Sequence, residues 1–200
     1  PHVLRQECER IGLPFHMLRL GTSSSLPPQC NPLADISDDE LEELFVAGFA
    51  LGEKGSEGDV YRLTDREMSI ILAEMATSGK VLSFPDLWNI AQSQHADLLL
   101  KARVFRGNLR EVSTLKCVAT RGGLDLGSIL QTGGCIYIVG SMRNSRILKL
   151  QKMILLRVMQ LIERRRPGAD RHATIFMDEF KYLLSQPAVN ALGTLRDKGG

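Results

Sequence analysis

The chain has 200 residues, 44% of them hydrophobic and 24% charged, with a net charge of +2. This is the balance of an ordinary globular protein of one or two cored domains, and it excludes a disordered chain. No apolar run approaches bilayer length and no leading segment has signal-peptide pattern, so neither a membrane span nor a secretion signal is read here.

Residues 2–12 have helical character and end on Gly12, glycine being favoured just past a helix terminus. Residues 14–21 (PFHMLRLG) read as a strand, and the Ser/Pro-rich stretch 22–32 reads as a loop. From Ile36 the pattern turns helical. Ser37 with Glu40 makes a capping box before one helix, and Thr64 with Glu67 makes a second. Ser83, with Pro85 in the first turn, opens a third helix. Trp88 falls there at core spacing with Leu87 and Ile90 and is read as packing. Residues 95–119 carry further helix, expected to break near Gly107.

After residue 134 the pattern switches back. CIYIVG (135–140) is a short apolar run of the kind buried on both faces of a sheet. Residues 146–166 have apolar positions at helical spacing and the length of a crossover helix, and ATIFMD (173–178) reads as the next buried strand. A further helix is expected over 186–200. Strand, long helix, strand and helix imply parallel strands joined by crossovers. The fold class expected is α/β, with a helical insertion of roughly 90 residues, a usual domain size.

Cys8, Cys30, Cys117 and Cys135 are scattered, without a Cys-x-x-Cys pair or a histidine at metal-ligand spacing. They read as free thiols in a reducing compartment. His16 and His172 read as packing or surface positions.

The acids at the end of ATIFMDEF are the sharpest chemical signal. A buried strand that runs into Asp178 and Glu179 is either a strand meeting water or a nucleotide-hydrolysis site of the Walker B kind. In parallel α/β sheets ligands gather outside the carboxyl ends of strands, which favours the second reading.

The stretch IFMDEFKYLLSQPAVNALGTLRDKGG resembles the segment from Walker B onward in the TraD/TraG-type coupling proteins of bacterial conjugation. ECERIGLPFHMLRLG and CNPLADISDDE resemble that family's strand after the nucleotide loop and its Asn-Pro-Leu lead-in to an inserted all-α domain. CIYIVGSMRN, followed by a basic amphipathic helix, resembles the return to the core. The order of these matches covers essentially the whole chain.

The resemblance implies a partial RecA-like P-loop NTPase core. Residues 1–34 and 131–200 would belong to that core, and 35–130 would form the inserted all-α domain. It also implies a ring-forming ATPase, a homo-hexamer, that recruits the relaxosome and pumps single-stranded DNA to a type IV secretion channel. Asp178 then takes the position of the magnesium-shell acid and Glu179 that of the catalytic glutamate. Arg196 takes the position of an arginine that reaches the neighbouring subunit's nucleotide. ATP and Mg2+ are the implied cofactors of the full-length protein. Single-stranded DNA, relaxase, relaxosome and channel proteins are the implied partners, on the cytoplasmic face of the bacterial inner membrane.

The chain contains no G-x-x-x-x-G-K-[ST] loop, which the family places upstream of Pro1 together with its membrane helices. We therefore read the chain as a piece of a longer protein, not expected to hydrolyse ATP or hold the nucleotide tightly alone. The insertion opens acidic (Asp35, Asp38, Asp39, Glu40, Glu42, Glu43) and later turns basic (Lys101, Arg103, Arg106, Arg110, Lys116, Arg121). Each run reads as a solvated face, and the basic set is also a candidate phosphate-contacting surface. An alternative function follows: a non-catalytic all-α module binding DNA or a relaxosome protein. Other RecA-like DNA pumps and secretion ATPases are close relatives of the first reading.

Overall fold

The computed structural model describes residues 1–23, 26, 27, 29–51, 59–76, 82–165, 172–178 and 183, with side chains within 59–76 described from Leu63 on. In chain order the first elements are helix α1 (His2–Arg10), strand β1 (Phe15–Arg19) and helices α2 (Asp38–Gly48) and α3 (Asp59–Ala76). Helices α4 (Phe84–Gln94), α5 (Ala96–Lys101) and α6 (Arg103–Ser113) follow, then a 3-10 turn (Lys116–Val118). Helix α7 (Leu126–Thr132), strand β2 (Cys135–Val139) and helix α8 (Ser145–Glu163) come last. Among the described residues no helix is long and apolar enough to cross a membrane.

Two compact units result. One comprises Pro1–Gly21 with Leu124–Gly200, the other Thr22–Gly123. In the first, β1 and β2 pair in parallel, Phe15 opposite Cys135 through to Arg19 opposite Val139. Phe15 stacks on Tyr137 at 6.5 Å and lies under the Arg5 guanidinium at 5.2 Å, which ties α1 to the strand pair. Asn144 opens α8 by accepting from the backbone N–H of Arg146 and Ile147, at 3.1 and 3.3 Å.

The parallel sheet among the described residues is this single pair. Residues 173–178, expected as a buried strand, enter no ladder among the described residues. Ala173, Ile175 and Met177 pack against Leu155, Met159 and Ile162 of α8, while Phe176 is 92% exposed. The alternation is that of a strand, but only one face is covered. Packing on a helix satisfies the apolar residues without backbone pairing, so the described residues form a mostly helical α/β protein with a two-stranded parallel sheet, and a RecA-like core is not shown among them.

The second unit is helical. Ser37 caps α2 in a capping box, its Oγ accepting from Glu40 N at 3.3 Å while Glu40 accepts from Ser37 N at 3.0 Å. Ser83 with Asp86 does the same for α4, with proline in the first turn. Two local expectations are corrected. Helix α3 begins at Asp59, so Thr64 and Glu67 lie inside it and not at its start. The break expected near Gly107 falls instead at Ala102, between α5 and α6, and α6 runs through Gly107.

Candidate functional site

Asp178 is exposed at the end of the segment that lies on α8. Its carboxylate is therefore open to water, as a group holding a hydrated cation has to be. Magnesium keeps several of its waters and is bound through few protein carboxylates, so an exposed acid is chemically compatible with that ion. Among the described residues no three His, Cys, Asp or Glu side chains gather as a metal cage. Glu179 and Arg196 lie outside the described residues, as does the helix expected over 186–200.

The six basic residues of the helical unit do not form one set. Arg121 is withdrawn: its Nε and Nη2 donate to the two oxygens of Asp86 at 2.9 and 2.6 Å. This fork holds the Asp86 carboxyl well below the usual carboxylate range, helped by the Ser83 hydroxyl and amide. Asp86 caps α4 at the same time, so Arg121 braces a helix start while its side chain stays 66% exposed. Lys101 ends α5 and Lys116 opens the 3-10 turn; both are exposed.

Arg103, Arg106 and Arg110 differ from these, because all three stand on α6. At about 100° per residue they fall within a sector of about 60°. The neighbouring apolar side of α6, which begins about 60° round from half-buried Arg106, carries Phe105, Leu109 and Val112, all buried. Phe105 meets Phe45 and Phe49 edge-on at 5.1 and 5.5 Å, and Asn108 donates to the Phe49 carbonyl at 3.3 Å. The arginine face is thus carried on a helix held firmly from behind.

Two buried polar side chains and one glycine support this arrangement. Asp65 of α3, 2% exposed, accepts from Phe105 N at 2.9 Å and also faces the Val104 amide. Ala102 gives α6 no side-chain cap, so Asp65 caps it from another helix. Burial pushes the Asp65 carboxyl up, and the two amides partly offset that. Asn31 is 4% exposed and donates to the carbonyls of Leu82 and Arg121 at 2.8 and 3.4 Å, while its Oδ1 accepts from Leu33 N at 3.1 Å. It joins the first and last segments of the helical unit. Gly123 completes the join. Its φ is +99°, and a Cβ there would stand 2.6 Å from the Gln29 carbonyl oxygen.

The four cysteines are free, and they approach one another in pairs. Burial, with Cys117 nearby, pushes the Cys30 thiol up to about 12; burial and the Cys8 thiol push Cys135 up to about 11. These are poor nucleophiles at neutral pH. Asn31 opens a recognisable Asn-Pro-Leu run, whereas nothing near Asp65 in the sequence marks it as a cap for a helix 38 residues later.

No family model matches the chain. It is similar to Mobilization protein A of Escherichia coli, at 30% identity over 178 residues, covering 86% of this chain and 32% of that protein. The chain spans about a third of the length of the curated relative it matches.

Proposed function

We propose that this chain is a section of a conjugative DNA-transfer protein of the TraD/TraG coupling type. In that reading the parent is a ring ATPase moving single-stranded DNA, with its relaxase, toward a type IV secretion channel. Two lines support it: the ordered run of family-like segments, and the similarity to a protein described as a mobilization protein. The structural observation behind it is the placement of Asp178. An apolar segment lies along the long helix α8 and delivers one carboxylate to solvent at its end.

Within this reading Asp178 orients the water shell of a magnesium ion, which would neutralise charge on the transferred phosphoryl group. Glu179 positions and polarises the attacking water. Arg196, supplied to a neighbouring subunit, makes hydrolysis depend on assembly. The test uses the full-length protein. Glu179→Gln should keep ATP binding and folding but lose DNA transfer and DNA-stimulated ATP hydrolysis. Arg196→Ala should lose the stimulation that comes with ring assembly. Normal DNA-stimulated turnover in Glu179→Gln would refute the reading.

A second reading, a recognition module that binds DNA or a relaxosome protein without catalysis, is favoured by the compactness of Thr22–Gly123. It requires binding by the present chain in the absence of nucleotide.

A further inference from the structure

Helix α6 contains a glycine that its fold does not call for. Gly107 sits mid-helix on ordinary right-handed backbone, and a Cβ built there meets nothing within 4 Å. Neither backbone conformation nor close packing within the unit therefore requires glycine. In an exposed helix interior glycine is less favourable than alanine or leucine. On the helical wheel Gly107 borders the arginines, about 40° from Arg103, about 60° from Arg110 and about 100° from Arg106, with Glu111 about 40° away on its other side and with Phe105 and Leu109 far round the helix. Thr114, also exposed, continues that face past the helix end.

We infer that the Arg103–Arg106–Gly107–Arg110 face of α6 is a contact surface for a nucleic-acid backbone, with Gly107 as the gap that lets the phosphodiester chain lie against the helix. This rests on the DNA-handling reading above only for its choice of polyanion; it needs no ATPase activity. The cations on this face are all arginine, whose planar fork pairs two donors with a phosphate, where lysine offers a point charge. Arg106 and Arg110 make no ion pair among the described residues. Three like charges on one face also disfavour a second copy of the same face as its occupant. The face is presented rigidly, because Phe105 behind it is clamped by Phe45 and Phe49, and Asp65 caps the helix start.

The inference sets stability against binding at one residue. The 200-residue chain is titrated, without nucleotide, against a labelled mixed-sequence single-stranded oligodeoxynucleotide at several salt concentrations. Gly107→Leu should raise Tm, because leucine is the better helix former and meets open space, yet weaken binding on the order of tenfold by holding the phosphates off. Arg106→Ala and Arg110→Ala should each weaken binding and lower the slope of log affinity against log salt by about 0.7, one phosphate contact apiece. Arg121→Ala should leave that slope unchanged, since its guanidinium is held by Asp86.

A Gly107→Leu chain that is more stable and binds the oligonucleotide as before would overturn the inference. So would salt slopes unchanged in both arginine variants. Wild-type chain that takes up polyglutamate as tightly as the oligonucleotide would replace nucleic acid with an acidic protein partner. None of these results depends on Glu179, so the ATPase reading stands or falls separately.

Discussion

Asp65 and Asp86 are both partly or wholly buried helix-capping acids in one unit, and their environments drive them in opposite directions. Asp65 is met by two backbone amides, which do not offset its burial, so its carboxyl is raised. The folded state then holds the proton more tightly than the unfolded chain does. This group's contribution is greatest below about pH 3.9 and falls as pH rises through that value toward the raised one. Asp65→Asn keeps an acceptor and removes the charge, so it should flatten that slope in denaturant titrations at several pH values. Asp65→Ala leaves the α6 amides buried and unpaired and should cost about 1–3 kcal/mol. Asp86 behaves oppositely. Its lowered carboxyl contributes above about pH 3.9 and loses that contribution as pH falls through the folded value. Asp86→Asn should therefore be less stable than the parent at pH 7, with the gap closing progressively as the solution is acidified below about pH 4.

At the scale of the element, α6 shows how packing overrides propensity. Local reading puts the break at Gly107, because glycine weakens helices. The chain breaks five residues earlier, at Ala102, which is fully buried, and keeps the glycine helical. A break at Ala102 exposes the first amides of α6 beside Asp65, which accepts from them. It also turns Phe105 into the aromatic group with Phe45 and Phe49. Phe105→Ala removes one ring of this three-membered cluster and should destabilise the unit by about 3–5 kcal/mol, measured by urea unfolding followed by circular dichroism. A loss below about 1 kcal/mol would mean that the aromatic group is not what seats α6.

At the scale of the whole molecule, the helical unit Thr22–Gly123 closes on itself. Gln29 N donates to the Cys117 carbonyl at 2.9 Å, Asn31 reaches Leu82 and Arg121, and Gly123 fits against Gln29. With both ends tied and the core formed by Phe45, Phe84, Phe105 and their neighbours, residues 22–123 should fold when expressed alone. The expected result is a single cooperative thermal transition with helical circular dichroism. Asn31→Ala in that piece should lower its stability by about 1–3 kcal/mol, since the carbonyl of buried Leu82 loses a donor and the link to the Arg121 carbonyl is broken. A non-cooperative melt of residues 22–123 would show that the unit depends on the rest of the chain.

The sequence by itself determined what lies within a few residues. The capping box at Ser37, the cap at Ser83, the strands around Phe15 and Cys135, and the long helix after Asn144 all follow from short-range periodicity and hydrogen bonding. Only the tertiary structure decided that Arg121 belongs to Asp86, that Asp65 caps α6, and that the chain breaks at Ala102. It also decided that Ala173, Ile175 and Met177 settle on α8 without joining the sheet. Each of these outcomes joins groups from separate segments. A window of sequence shows an acid, an arginine or an apolar alternation, but its partner is chosen by which surfaces the core brings together.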